Sequence, residues 1–122
     1  MKVVINRCHG GFGLSNEAFE ILLASKGIAF EIQNRDIGFG RNENVYYEAG
    51  HLNDDDYYLW DIDFCGDRSD PALVAVVELL GEKANGWASE LKVVEIPDDV
   101  EWFIGEYDGM EWVAEQHRTW CE

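Results

Sequence analysis

The chain opens on an apolar run that breaks off abruptly. KVVIN at positions 2–6 is short and β-branched, and CHGGFGLS follows at 8–15, so it reads as a buried strand entering a glycine-rich turn. From Ser15 the apolar period changes to that of a helix. Ser15 suits the N-cap, Leu14 and Phe19 are spaced as a hydrophobic staple, Glu17 falls in the first turn, and Lys26 followed by Gly27 marks the end. Phe19, Leu22 and Leu23 then share one face, and the spacing predicts a helix from Ser15 to Lys26.

Further along, IAFEI at 28–32 has the character of a second strand, and the Gly/Asn content of NRDIGFGRNEN at 34–44 predicts a loop. YYLWDIDF at 57–64 is strand-like by its aromatic content, with Asp61 and Asp63 alternating against Trp60, Ile62 and Phe64. A second helix is predicted to start at Asp70-Pro71, an N-cap followed by a proline where no donor is needed, and to run through ALVAVVELL to Gly81. LKVVEIP, ended by Pro97, and EWFIGEY give two more strands. The tail has two readings. Asp108-Gly109 is a good two-residue hairpin turn, whereas Asp108 with Glu111 also makes a helix-capping pair, and Met110, Val113, Ala114 and His117 have helical spacing. The hairpin is the expectation. The order predicts an α/β or α+β single domain over 1–122, a mixed sheet of about five strands with two principal helices packed on it.

Composition supports a folded chain: 122 residues, 47% apolar and 13% aromatic, suffice for one core without metals or disulfides. No stretch approaches the roughly 18–20 apolar residues of a membrane span, and MKVVINRCHGG lacks the apolar region of a secretory signal, so a cytoplasmic protein is expected. Cys8, Cys65 and Cys121 cannot all pair within one chain and match no zinc or redox spacing, which predicts reduced thiols.

Charge changes the picture most. Twenty-five acidic against nine basic residues give a formal net charge of -16, which disfavours nucleic acid and anionic membranes as direct partners. Eight acidic residues and no Lys or Arg lie between Asn42 and Asp67, and the same count recurs from Val93 to His117. If these segments are neighbours in space, Asp54, Asp55, Asp56, Asp61, Asp63, Asp98, Asp99 and Glu101 form one acidic interaction face for a basic partner. The plainer alternative is acidity for solubility alone. Asp54-Asp55-Asp56 is read as a solvated turn rather than a metal site, no His or Cys spacing supports a metal, and no cofactor is expected.

The glycine-rich turn is the other candidate. A strand, a glycine turn and a helix start together place free N–H groups where anions bind. Arg7, Cys8, Gly10, Gly11, Gly13 and Ser15 are the ligand-binding candidates there. Yet GGFGLS is neither G-x-G-x-x-G nor a P-loop with its Lys, and close packing of helix on strand explains the glycines equally well. Cys8 near a helix start has the position of a nucleophile, but His9 is adjacent and so points to the opposite face of an extended backbone. No residue is assigned a catalytic role.

KVVINRCHGGFGLS at the start, RSDPALVAVVELLG in the middle, and LKVVEIPDDVEW followed by EYDGMEWVAEQHRTW at the end resemble a group of small uncharacterised proteins encoded by tailed phages and prophages. Asn44 to Asp63 has no counterpart in that resemblance. It brings no activity and no functional residues, but it implies a setting: a small non-structural protein in the cytoplasm of an infected bacterium. With the charge, this predicts a binding protein that modulates or inhibits a basic host or phage protein, such as a nucleic-acid-binding or defence factor. The alternatives are a small-ligand or nucleotide binder, or an enzyme, at the glycine turn, and a structural accessory without chemistry. A pocket at the turn lined by Arg7, Arg41 or Arg68 favours the ligand binder. A clustered acidic face without a deep pocket favours the protein binder.

Overall fold

The protein, represented by a computed structural model that describes residues 1–115, is α+β. Cys121 and His117 lie outside the described residues. The first strand, β1 (Lys2–Asn6), is buried from Val3 to Asn6 and pairs antiparallel with β5 (Leu91–Glu95), Val4 facing Val93. Its other edge is also used. The Val4 N–H donates to the Arg68 carbonyl at 2.9 Å, and the Asn6 N–H donates to the Glu111 carboxylate at 2.8 Å. A strand covered on both faces and satisfied on both edges has to be continuously apolar, which is why KVVIN lacks alternation.

The helices follow their caps. In α1 (Asn16–Ser25) the Ser15 Oγ accepts the Ala18 N–H, and in α2 (Pro71–Leu80) Asp70 accepts the Ala72 N–H one residue after Pro71. Lys26, just past the end of α1, donates to the Asp70 carboxylate at 2.6 Å and holds it below the usual carboxylate range, tying the end of one helix to the start of the next. Ala18, Phe19, Leu22 and Leu23 of α1 meet Leu73, Val74, Val76 and Val77 of α2 in one core with Val4 and Leu91. Each fully buried aliphatic side chain there contributes about 1.5–3 kcal/mol.

Two segments depart from expectation. Residues 34–44, predicted as a loop, are the outer part of a long hairpin formed by β2 (Phe30–Gly38) and β3 (Arg41–Glu48). The Gly/Asn signal belongs only to its tip, where Gly38, Phe39 and Gly40 all have positive φ. The hairpin is anchored at its base, where Val45, Tyr46 and Tyr47 are buried and Tyr46 packs edge-on against Phe19 with ring centroids 5.0 Å apart. Beyond that base both faces meet solvent, so no alternation marks the strands. YYLWDIDF, predicted as a strand, supplies only the two residues of β4 (Tyr58–Leu59), which pair with Tyr46 and Tyr47. Asp61–Phe64 is a 3₁₀ turn that leaves Ile62 in solvent and turns Asp61 inward.

Among the described residues the expected single sheet of about five strands is instead seven strands in three small antiparallel sheets, ordered β1-β5, β2-β3-β4 and β6-β7. The reason lies on β1. Its free edge takes a loop carbonyl and a side-chain carboxylate where further strands would have continued the ladder. β6 (Trp102–Tyr107) and β7 (Met110–Glu115) form the expected hairpin, with Asp108 and Gly109 both at positive φ as a two-residue turn requires. No helix among the described residues is long and apolar enough to cross a membrane.

Candidate functional site

The glycine turn is stitched to the segment between α2 and β5. The Ser15 N–H donates to the Ala84 carbonyl, the Ser15 Oγ donates to the Lys83 carbonyl at 2.6 Å, and the Gly13 carbonyl accepts from both the Gly86 N–H and the Ser89 Oγ. Gly10 presses on the same segment, since a Cβ there would lie 1.8 Å from the Ala88 carbonyl oxygen. Gly109 of the hairpin approaches from the other side, where a Cβ would meet the His9 carbonyl oxygen at 2.7 Å. Glycine at 10 and 109 is thus dictated by backbone approaching backbone.

The same stitching opens a cleft of about 620 Å³ in front of the turn. Gly11, Phe12, Gly13 and Ser15 form its floor, Arg41 to Asn44 of β3 one wall, Tyr58 to Asp61 another, and Asn85 to Ala88 the third. Aromatic rings dominate. Trp87 is 91% exposed and Trp60 54% exposed at the mouth, Phe12 lies in the floor and Tyr58 in a wall, and Phe19 and Tyr46 close the back. Its polar side chains include the neutral amides of Asn16, Asn42, Asn44 and Asn85 beside the carboxylates of Glu43 and Asp61, with Arg41 placed 5.7 Å from the Trp87 ring centroid.

Three charged side chains among the described residues line the cleft, Arg41, Glu43 and Asp61, and Asp61 is engaged with the turn. The Asp61 Oδ2 accepts the Leu14 N–H at 3.1 Å, so the chain's own carboxylate occupies a donor immediately before α1. Among the described residues no acceptor meets the N–H groups of Gly11, Phe12 and Gly13. Tyr46 and Tyr58 both have their phenols pushed up, chiefly by burial and further by nearby carboxylates, so both are hydrogen-bond donors at neutral pH.

Of the six turn residues singled out from the sequence, Gly11, Gly13 and Ser15 line the cleft and Arg7, Cys8 and Gly10 do not. Arg7 donates to the Glu111 carbonyl at 2.7 Å. Cys8 is half-buried, its Sγ directed at the Ala88 carbonyl at 3.1 Å, and His9 is exposed with Nδ1 beside the Asp108 carbonyl. Cys65 is buried, and burial reinforced by Asp61 pushes its thiol up to about 12.

The acidic candidates fall on several elements. Asp54 caps the turn Asp55–Tyr57 by accepting the Asp56 N–H, and Asp55, Asp56 and Asp63 are exposed. Asp98 pairs with the N-terminal ammonium before the start of β1, with Asp99 and Glu101 exposed beyond it. Asp61 is turned toward the glycine turn, where its Oδ2 accepts the Leu14 N–H. Among the described residues no group of three or more His, Cys, Asp or Glu side chains is arranged to hold a metal ion.

Arg41, which the sequence offered as one possible lining residue of a pocket at the turn, is in the cleft, whereas Phe12, Tyr58, Trp60, Trp87 and the four asparagines were missed. One signal was available: Trp87 stands in the polar turn ANGWAS, where neither strand nor helix periodicity accounts for a large apolar ring. Comparison with family models, with curated proteins and with solved structures finds no match.

Proposed function

We propose that the protein acts by binding, as a small accessory protein of a phage or prophage in the host cytoplasm, and that its cleft takes a small ligand with a planar, hydrogen-bonding ring of the nucleoside type. The observation that carries this is the exposure of Trp87 and Trp60 around a concave site furnished with amides and Arg41. Large rings left in water at a cleft mouth cost stability unless something stacks on them, and neutral amides read the edge of a ring without demanding charge. Asp61 and the net charge of -16 oppose a strongly phosphorylated ligand, so stacking and edge contacts carry the affinity.

Stacking on one exposed ring is worth about 1–3 kcal/mol, so Trp87→Ala is expected to weaken binding roughly five- to hundredfold in titrations of the four ribonucleosides followed by tryptophan fluorescence. Trp60→Ala should act in the same direction. Absence of binding to the unaltered protein, or an affinity in both variants equal to that of the unaltered protein, refutes the reading.

A second reading, docking to a basic protein surface, is favoured by the exposed Asp54-Asp55-Asp56 turn together with the overall charge. Reversing these three charges should abolish capture on an immobilised Lys/Arg-rich peptide at low salt, while reversing Glu17, Glu82 and Glu90 should leave most of it. Equal losses from both triples would reduce the effect to net charge alone.

A further inference from the structure

Arg68 stands behind the cleft rather than in it. Its guanidinium carbon lies 3.6 Å from the centroid of the Phe12 ring, the separation of direct face-on stacking. The group is fixed in that plane by its donors: Nη1 and Nη2 reach the two carboxylate oxygens of Glu111 at 2.6 and 2.9 Å, and Nε reaches the Cys65 carbonyl at 3.1 Å. Glu111 is only 7% exposed and is itself held by the Asn6 N–H. Phe12 lines the cleft between Gly11 and Gly13, which offer its ring no flanking side chains, whereas Arg68 is absent from the lining. The Phe12 ring thus carries a fixed cation on one face and also borders the cleft.

An aromatic ring has a negative face because of its quadrupole, which is why cations settle on it. A guanidinium already seated on one face draws that density rearward. The opposite face then becomes a poorer seat for a second cation and a better one for an electron-rich, uncharged ring. We infer that Arg68 is a positioning residue for the cleft: locked by Glu111, it holds Phe12 as a stacking platform and biases it toward uncharged, purine-like rings over cationic ones. The inference rests on the reading of the cleft as a ring-binding site. It also runs against the negative charge of the whole protein, which by itself would favour a cation, so the two effects are separable.

The test compares guanosine with 7-methylguanosine under mildly acidic conditions, where the methylated ring is cationic. The unaltered protein is expected to prefer guanosine. Arg68→Lys keeps a positive charge beside Glu111 but removes the planar backing, and is expected to lose that preference by roughly fivefold, the size of one oriented aromatic contact. Phe12→Leu leaves the Arg68–Glu111 pair in place and should lose it to a similar extent, so the result does not depend on how well Arg68→Lys folds. General destabilisation lowers both affinities together and leaves their ratio alone. An unchanged ratio in both variants, with guanosine still bound by the unaltered protein, overturns the role of Arg68 alone. No binding of either nucleoside to the unaltered protein overturns the ring-binding reading and this inference with it.

Discussion

Glu111→Ala is expected to cost about 3–5 kcal/mol of folding stability, the range for removing one partner of a buried ion pair. Two donors lose their acceptor at once. The Arg68 guanidinium, whose side chain is 16% exposed, is left with its charge uncompensated, and the Asn6 N–H inside β1 is left without a partner. The loss joins three segments, because the 65–69 loop, β1 and the β6-β7 hairpin meet at this carboxylate. Thermal unfolding should register it as a fall of roughly 10–20 °C for a domain of this size. Glu111→Gln retains an acceptor for either donor and should lose less. A midpoint for Glu111→Ala within a degree or two of the parent would show that water or another acceptor replaces the carboxylate, and would remove the hairpin's assigned role as an anchor.

The second large effect concerns the glycine turn, whose three glycines are not equivalent. Gly10→Ala forces a Cβ to within 1.8 Å of the Ala88 carbonyl oxygen, and because both groups are backbone, the turn or the 85–89 segment has to move. About 3 kcal/mol is expected, the upper part of the usual range for overpacking. At Gly13 the nearest atom to a new Cβ is the Asp61 carboxylate at 4.0 Å, so Gly13→Ala should be nearly neutral in stability while narrowing the cleft floor. Urea unfolding of the two variants side by side checks this, and comparable losses at 10 and 13 would contradict a packing origin for Gly10. The answer to why GGFG stands between the first strand and the first helix is accordingly divided. One glycine lets two backbones touch, and the others flank an aromatic that faces the cleft.

Where a signal is local, the sequence announces its structure. The Ser15 and Asp70 caps, Pro71, Gly81 and the Asp108-Gly109 turn each act within a few residues of themselves, and α1, α2 and the last hairpin form where those residues indicate. What escaped depends on distance. Nothing in IAFEI or RNENVYY says that they pair, because their outer halves face water on both sides and their shared register is set by Tyr46 seating against Phe19. Asp61 alternates with apolar neighbours as a strand residue would, yet the same positions fit a 3₁₀ turn, and only the Leu14 N–H, 47 residues away, decides between them. The cleft was illegible for a related reason. Its walls come from four separated stretches, each of which taken alone is an ordinary polar or aromatic loop.

The position of β1 also sets the order in which the chain can complete itself. Val3, Val4 and Ile5 are made long before the strand that pairs with them, which ends at Glu95, and the carboxylate that accepts from Asn6 arrives 105 residues later. Local helices can form during synthesis, whereas this centre closes only once Glu111 is available. Folding is therefore expected to be slow for a domain of this size, with KVVIN as the segment most in need of shielding until Glu111 emerges. Truncations that spare the cleft but stop short of the last hairpin would leave that segment uncovered, and would be lost to aggregation before any question of binding arose.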